Sequence, residues 1–389
     1  MAAVVTSGLA AADAPRGLAE LSPVQLAELG EFYPIRADAI GGSRVLIQLA
    51  DAPRPVYVSA VAFVEVDLQT GGWLAYGPPA SDFRVTGVEN GRVIGLSDPC
   101  PLDSWSFGRV WVIDTQEQGV SLLFDTAEAT PRWSKFGVDD ASLSGDGSTA
   151  AVMLDEDWRK WEPRITRRTL WLIDLRDGER SIVRTERNSR REGHFQVEKT
   201  EFALAPDGSL LAVSPEQDFA IMSRNPGISY SFEALRSVVV ERLTIGEEQL
   251  RPAATIEEAG YMFDGFRPSH SGTLLAVPAA FGVIAIADLT TGRVATTDDR
   301  LKTGRAYGFP GAWRPDSGTL LAVRTNPDEV VELSLDAEVL ARWPTGRAAR
   351  GVFWLPDEGP HALLADGEIV RLGDDGAIET VWVMPDLEK

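Results

Sequence analysis

Residues 202–215 read FALAPDGSLLAVSP, and this stretch decides the fold. A short strand-like run leads into the turn Pro206-Asp207-Gly208, and the compact apolar run LLAV follows closely. Asp and Gly accept positive φ and Pro presets its own φ, so these residues are the ones that a tight hairpin needs. A run that is apolar at every position is typical of a strand buried on both faces.

The same order of strand, turn and apolar run recurs along the chain, which indicates a repeat architecture. Four further copies read ASLSGDGSTAAVML, FRPSHSGTLLAVPA, AWRPDSGTLLAVRT and FWLPDEGPHALLAD, at residues 141–154, 266–279, 312–325 and 353–366. In several units a second hairpin has a strand that ends in Asp before a turn containing Gly. These aspartates, whose carboxylates can bond the backbone of their own turn, are Asp67, Asp114, Asp174 and Asp288. Each unit therefore reads as four strands, A to D.

Seven such units fit in the chain, and long amphipathic helices are almost absent. This pattern predicts an all-β fold, a seven-bladed β-propeller of four-stranded antiparallel blades. We assign residues 31–389 to a single propeller domain and residues 1–30 to an N-terminal extension. The extension holds one short helix, predicted from Ser22 as its N-cap and Pro23 at its first position.

The residues also carry a resemblance to known propeller repeats. Gly193-His194 stands before the first strand of the fourth unit, and Pro206-Asp207-Gly208 forms its A–B turn. The chain thus resembles WD40 repeats, with Ile-Asp, Val-Asp or Ala-Asp in place of Trp-Asp, and it is similar to TolB-like and amine-dehydrogenase-like propellers. The resemblance covers nearly the whole chain, and it implies the propeller fold without choosing among the functions these propellers host.

Composition restricts the class of partner. The 389 residues include 58 acidic and 37 basic side chains, for a net charge of -21. A field of that sign repels nucleic acid and anionic membranes on average, so we expect neither as a partner. Cys100 is the single cysteine, which excludes an internal disulfide, and the N-terminus lacks the features of a secretory signal. We therefore expect a protein of the reducing cytoplasm.

Catalytic and cofactor signatures are absent from the sequence. It contains no G-x-S-x-G, Walker A or Rossmann motif, and no spaced calcium-binding loop or set of thiolates for zinc. We expect no metal and no cofactor. Most of the eleven tryptophans fall within predicted strands and are expected to pack between blades.

The informative feature is where the repeat is interrupted. The three longest interruptions, residues 97–108, 155–168 and 214–235, all follow the second strand of a unit, in blades two, three and four. Strand alternation places every connection of that kind at one face of a propeller, so we expect one surface elaborated over adjacent blades. Insertions in repeat proteins often map to the binding face.

Aromatic and basic residues concentrate in these interruptions. Aromatic side chains give large contact area at low entropic cost, and arginines bind anions through paired N–H groups. We predict that this surface binds a partner protein or an anionic small molecule through Trp105, Trp158, Trp161, Arg164, Arg187, Arg190, Arg191 and Tyr230. A plainer interpretation remains open: these segments fold back to cover the propeller while neighbouring acids neutralise the arginines.

Two other functions stay open at this point. An enzyme of the lyase, isomerase or cyclase type would use His194 with Asp140 or Asp155 for proton transfer at the channel mouth. A structural subunit would instead expose a large apolar patch, for instance on the outer strands. The sequence leaves the oligomeric state open. It also leaves open whether the ring closes with residues 381–383 as its last outer strand or borrows the N-terminal segment.

Overall fold

The computed structural model describes residues 16–29, 32–51, 59–80, 82–99, 107–126, 135–158, 164–190, 201–215, 236–243, 251–259, 266–278, 283–297, 311–324 and 327–385. Two short strands and one helix precede the first blade: β1 (Arg16–Gly17), β2 (Glu20–Leu21) and α1 (Pro23–Glu28). The helix prediction is confirmed. Ser22 accepts a hydrogen bond from the backbone N–H of Gln25, and the Gln25 side chain accepts one from the Ser22 N–H, so the first turn is capped reciprocally.

Seven blades of four consecutive strands follow, and one pairing between Val138 and Phe107 joins blades two and three into a single sheet. Blade one contains β3 (Tyr33–Gly41), β4 (Arg44–Ala50), β5 (Ala60–Asp67) and β6 (Trp73–Tyr76). Blade two contains β7 (Arg84–Glu89), β8 (Arg92–Pro99), β9 (Phe107–Asp114) and β10 (Gly119–Asp125). Blade three contains β11 (Lys135–Leu143), β12 (Thr149–Trp158), β13 (Arg164–Asp174) and β14 (Arg180–Arg190).

The remaining blades have the same order. Blade four contains β15 (Glu201–Leu204), β16 (Leu210–Pro215), β17 (Arg236–Leu243) and β18 (Arg251–Ala259). Blade five contains β19 (Arg267–Pro268), β20 (Leu274–Pro278), β21 (Ile284–Asp288) and β22 (Val294–Thr296). Blade six contains β23 (Ala312–Trp313), β24 (Leu320–Arg324), β25 (Glu329–Leu333) and β26 (Val339–Pro344). Blade seven contains β27 (Ala349–Leu355), β28 (Gly359–Leu364), β29 (Glu368–Leu372) and β30 (Ile378–Val383).

Every blade is antiparallel with its strands side by side in sequence order, which confirms the predicted seven-bladed propeller. The N-terminal segment adds to it, because β2 pairs with β6 at the outer edge of blade one and β1 pairs with β10 at the outer edge of blade two. Blades one and two therefore have five strands rather than the predicted four. The added strands cover two sheet edges that would otherwise present unpaired backbone groups.

Apolar packing between blades closes the ring. The described residues form seven buried clusters, one at each junction of neighbouring blades. At the junction of blades seven and one, Phe353, Leu363 and Trp382 pack with Ala37 and Val45. Since β30 stays in the sheet of its own blade, closure is of the first kind considered above, without strand exchange.

The repeated apolar run lies where the sequence predicts. Leu210, Leu211, Ala212 and Val213 of β16 are all almost wholly buried, because both faces of the strand meet a neighbouring blade. No helix of the described part is long and apolar enough to cross a membrane.

The turns form the hydrogen bonds that their residue types predict. Asp207 accepts a hydrogen bond from the Ser209 N–H at 2.9 Å, and Gly208 has φ +80°. In the C–D turn of blade five, Asp288 accepts from the N–H groups of Thr290 and Thr291. The aspartate of each motif thus satisfies the backbone of its own turn.

The A–B turns of successive blades also touch one another. The Asn90 amide donates to the Asp146 carbonyl at 3.2 Å, joining blades two and three. The Gly145 N–H donates to the Pro206 carbonyl at 3.2 Å, joining blades three and four. The Ser271 N–H donates to the Ser317 hydroxyl at 3.1 Å, joining blades five and six. One face of the propeller is therefore built of short turns in contact.

Candidate functional site

The opposite face carries the B–C connections, and we call it the B–C rim. Between the second and third strands the connections cover 51–59, 100–106, 159–163 and 216–235 in blades one to four. In blades five to seven they cover 279–283, 325–328 and 365–367. The strand count places the three predicted interruptions on this rim. It also corrects the prediction that they are the three longest, because the connection in blade one is longer than those in blades two and three.

Blade three projects at this rim as a sheet rather than as a loop. We predicted an interruption over 155–168, but β12 continues to Trp158 and β13 begins at Arg164. Trp158 lies opposite Ile165, and Arg164 lies opposite Arg190, so the ladder continues almost to the hairpin tip. The prediction was wrong because this segment is polar, and polar residues lack the apolar alternation that marks a strand.

The register of this projection pairs positions of unlike charge and positions of like charge. Asp155 lies opposite Arg168, which lies opposite Glu186, and Glu156 lies opposite Arg167. Arg167 in turn lies opposite Arg187, as Arg164 lies opposite Arg190. Acidic and basic positions therefore alternate only in part along this ladder.

The predicted binding residues divide into two groups. Trp158, Arg164, Arg187 and Arg190 belong to the outer ends of β12, β13 and β14, and the ladder brings these strand ends together. A second set, together with the proposed acid–base residue His194, lies outside the described residues. These are Trp105, Trp161, Arg191 and Tyr230.

A different set of charged residues comes together along the axis. The first strands of neighbouring blades pack at the centre, where a Cβ on Gly351 of β27 would lie 3.0 Å from the Ala37 nitrogen of β3. Charged side chains on these strands interact with one another across the axis. They are Arg36 and Asp38 of blade one, Glu89 of blade two, Asp140 of blade three and Arg267 of blade five, and we call them the axial cluster.

One pair within the axial cluster forms a salt bridge. Arg36 donates to both carboxylate oxygens of Asp38, at 2.6 and 2.9 Å, and each side chain is about a quarter exposed. Burial lowers the pKa of Arg36, but the neighbouring charge and hydrogen bonds of Asp38 outweigh it and raise the pKa overall. This pair is a stable internal salt bridge.

The pKa values of two other members are shifted from their ordinary values. Burial, reinforced by the charge of Asp38, raises the pKa of Glu89 to about 7, although Arg267 and Arg36 oppose the shift. Burial, reinforced by the charge of Arg36, lowers the pKa of Arg267 to about 10. Near neutral pH, Glu89 is therefore divided between its protonated and ionised forms while Arg267 stays charged.

Sequence reasoning considered Asp140 only as an acid beside His194 and missed the axial cluster. Its members are single residues separated by long stretches of sequence, so no local motif connects them. The available signal was a charged residue within a predicted first strand. Asp140 accepts a hydrogen bond from the Ala141 N–H, and its charge acts on Arg267.

Two histidines, His270 and His361, contact backbone carbonyl groups. His361 is fully buried, stacks on Phe353 with ring centroids 5.5 Å apart, and bonds the Gly359 carbonyl through Nδ1 at 3.0 Å. His270 contacts the Trp313 carbonyl through Nε2 at 3.3 Å. Burial lowers the pKa of both imidazoles. These contacts indicate a structural role for both residues.

No protein-family model matches the chain, and no curated protein matches it. Among solved structures, the chain is similar to the β-propeller domain of Cps50 (Swd1) from Myceliophteria thermophila. The two are 12% identical, the match covers 94% of this chain and 99% of that chain, and the TM-score is 0.48. The seven-bladed propeller fold follows from the strand order within the blades.

Proposed function

We propose that this chain is a cytoplasmic binding propeller. Its B–C rim, over blades two to four, would hold an acidic segment of a partner protein or an anionic small ligand. One observation carries the proposal: connections 100–106, 159–163 and 216–235 leave the second strands of three consecutive blades and so begin at one rim. Propellers commonly present such a rim to partners.

The composition of these connections supports the assignment. They contain Trp105, Trp161 and Tyr230, and β12 ends at Trp158 beside the tip. Aromatic residues of this kind act as anchors in binding surfaces because they lose little entropy on contact. The single cysteine of the chain fits a reducing compartment.

Charge supports an anionic partner. Arg164, Arg187 and Arg190 lie at the projecting ends of β13 and β14, and Arg191 follows directly in the sequence. These residues stand out in a chain whose net charge is -21. A guanidinium group binds carboxylate or phosphate in a forked geometry, so local basic charge selects an acidic ligand.

The proposal is tested by capture from a cell lysate. The tagged chain is compared with a variant carrying Trp158→Ala, Trp161→Ala, Arg190→Ala and Arg191→Ala. A control carries Arg293→Ala and Arg371→Ala, which remove two exposed arginines beside C–D turns on the opposite face. We expect the wild-type chain and the control to retain the same partner and the rim variant to lose it.

Stability and ligand type are read in the same experiment. The rim variant should unfold within about 1 kcal/mol of wild type, because its four positions lie at or beyond the ends of β12 and β14. Native mass spectrometry of the purified chain identifies a retained small anion, whereas capture from dialysed lysate identifies a protein. Equal capture by the rim variant and the control would remove the basis of the proposal.

A further inference from the structure

The outer strands of blades six and seven expose apolar side chains. Among the residues that the structure describes, seven large apolar side chains are exposed, and four of them lie on these two blades. The four are Leu335, Leu340, Ile378 and Val383. Apolar side chains that lie close together on a surface mark interaction sites, whereas ones that lie singly are ordinary.

The outer strands of the two blades meet at one contact. The Trp343 indole N–H of β26 donates to the Gly373 carbonyl at 2.7 Å. A Cβ on Gly376 would lie 3.6 Å from the Arg342 carbonyl, so the C–D turn of blade seven packs against β26. Trp343 is only 2% exposed and belongs to the buried cluster between blades six and seven. The contact is therefore firmly held from beneath.

Three of the exposed side chains lie around this contact. Leu340 is two positions before Arg342, Ile378 is two positions after Gly376, and Leu335 lies in the C–D turn that leads into β26. Leu340 is the extra residue of a β-bulge, because the register shifts between Val339 and Ala341. A bulge redirects a side chain, and Leu340 is 56% exposed.

We call Leu335, Leu340 and Ile378 the outer patch. No strand of the described chain pairs with the outer edge of β26 or β30, whereas β2 and β1 cover the edges of blades one and two. The outer patch is thus open to a partner. It spans two blades, so a strand added to one edge would contact only part of it, whereas the apolar face of an amphipathic helix can contact all three residues.

Acidic side chains border the outer patch. Glu338, Asp374 and Asp375 are exposed, and none of them forms an ion pair with another described residue. Arg342 is engaged by the buried carboxylate of Glu329 at 2.9 Å. The border is therefore negative. It repels a second copy of the same patch and attracts lysine or arginine side chains.

Ile182 shows that this combination is specific to blades six and seven. It is 52% exposed on β14, the outer strand of blade three, so it resembles Leu340 in exposure. Its neighbours along β14 include Arg180 and Arg184. An exposed apolar side chain on the outer wall is thus bordered by acids in one place and by arginines in the other.

We propose that the outer patch binds an amphipathic helix of a partner protein, with apolar side chains on one face and lysine or arginine beside them. The three apolar residues contact the apolar face, and the acidic border attracts the basic side chains. This surface lies beside C–D turns, at the opposite end of the blades from the B–C rim. It does not depend on the rim's function, and it selects a partner of opposite charge.

The probe is a fluorescent helical peptide of leucine and lysine, with leucine at positions i, i+3, i+4 and i+7. Its counterpart has glutamate in place of lysine. Fluorescence anisotropy measures the binding of each peptide to the full chain. We expect the leucine–lysine peptide to bind and the leucine–glutamate peptide not to bind. Equal binding of both peptides, or of neither, would overturn the proposal.

The apolar contribution is tested without a change of net charge. A variant with Leu340→Ser and Ile378→Ser should bind the leucine–lysine peptide about tenfold more weakly, because it loses apolar contacts. Ile182→Ser is the matched control and should bind as tightly as wild type. Equal affinity of all three proteins would show that the peptide is attracted by the overall negative charge alone, which would refute the outer patch.

A second pair of variants keeps the test decisive even when the serine variant does not fold. Glu338→Lys with Asp374→Lys reverses two charges of the border. Glu117→Lys with Glu179→Lys reverses two exposed charges in C–D turns of blades two and three and is the matched control. Only the first variant should bind the leucine–lysine peptide severalfold more weakly. Equal weakening by both would contradict the proposal.

Sedimentation of wild type distinguishes a second copy from a partner protein. We expect no self-association through the outer patch, because the acidic borders of two copies repel each other. A dimer that Leu340→Ser with Ile378→Ser abolishes would show that the patch binds its own copy, and the proposal of a basic partner would be wrong.

Discussion

Trp313 holds Arg267 in place from the neighbouring blade. The indole N–H of Trp313, on the first strand of blade six, donates to the Arg267 backbone carbonyl at 2.8 Å. The Trp313 carbonyl in turn contacts the ring of His270, in the A–B turn of blade five, at 3.3 Å, so Trp313 contacts blade five at two points. Trp313 is 4% exposed, which makes this a buried link next to the axial cluster.

Replacing Trp313 by Phe should therefore lower the stability of the protein. The aromatic packing is largely kept, but the Arg267 carbonyl loses its donor, which costs about 1 to 2 kcal/mol. Trp354→Phe is the control, because its indole N–H donates to the Ala312 carbonyl at 3.2 Å between blades six and seven. Urea unfolding should show a loss in both variants.

The two losses should be of similar size, since each variant removes one indole hydrogen bond between neighbouring blades. A W313F variant as stable as wild type would show that the bond to the Arg267 carbonyl does not contribute to stability.

Gly145 is required by the contact between two A–B turns. A Cβ at Gly145 would lie 2.4 Å from the Pro206 Cβ and 2.6 Å from its Cα, where the backbone cannot yield easily. Gly145→Ala should therefore cost about 1 to 3 kcal/mol, as overpacking usually does. Gly119→Ala is the matched control, since nothing lies within 4 Å of an added Cβ there. Chemical denaturation of both variants checks the difference, and equal midpoints would mean that the turns separate without cost.

The repeat was predictable because hairpin chemistry is local. Asp207 and Asp288 bond their own turns, and Leu211 and Ala212 are buried in the second strand, as their residue types require. Each blade also repeats the same apolar runs, so one correctly interpreted unit predicted the others. Ring closure depends on packing between blades one and seven, which no local pattern encodes.

The site was less predictable because its signals depend on register and on the closed ring. Glu156 and Arg167 look like loop residues in the sequence, but they lie opposite each other in a ladder. Glu89 and Arg267 are far apart in the chain, and their charges interact because blades two and five face the same axis. Two-residue strands such as β1 are too short to show any periodicity.

Glu89 should make the stability of the protein fall as pH rises. The pKa of the folded state, about 7, lies above the ordinary value of 4.5. Its protonated form is therefore favoured by folding, and this contribution is complete below about pH 4.5 and lost as pH rises through 7. Glu89→Gln should match wild type near pH 4.5 and exceed it at pH 8, by up to about 3 kcal/mol.

Urea unfolding of wild type and E89Q at these two pH values checks the sign. Glu338→Gln, an exposed glutamate in the C–D turn of blade six, is the control and should leave the pH dependence unchanged. A larger advantage of E89Q at pH 4.5 than at pH 8 would contradict the assigned environment of Glu89.

His361 should have the opposite dependence on pH. Burial lowers its pKa below the ordinary value of 6.5, although the hydrogen bond with the Gly359 carbonyl and the charge of Glu358 oppose the shift. The folded state therefore favours the neutral ring, and its contribution is complete above pH 6.5. Below that pH the unfolded chain binds a proton that the native ring resists, which costs up to about 1.4 kcal/mol for each pH unit.

His361→Leu removes this titration, so the stability difference between wild type and variant should shrink as pH falls from 7.5 to 5. Urea unfolding at both pH values measures the difference, and a constant value would mean that the ring is protonated equally in both states.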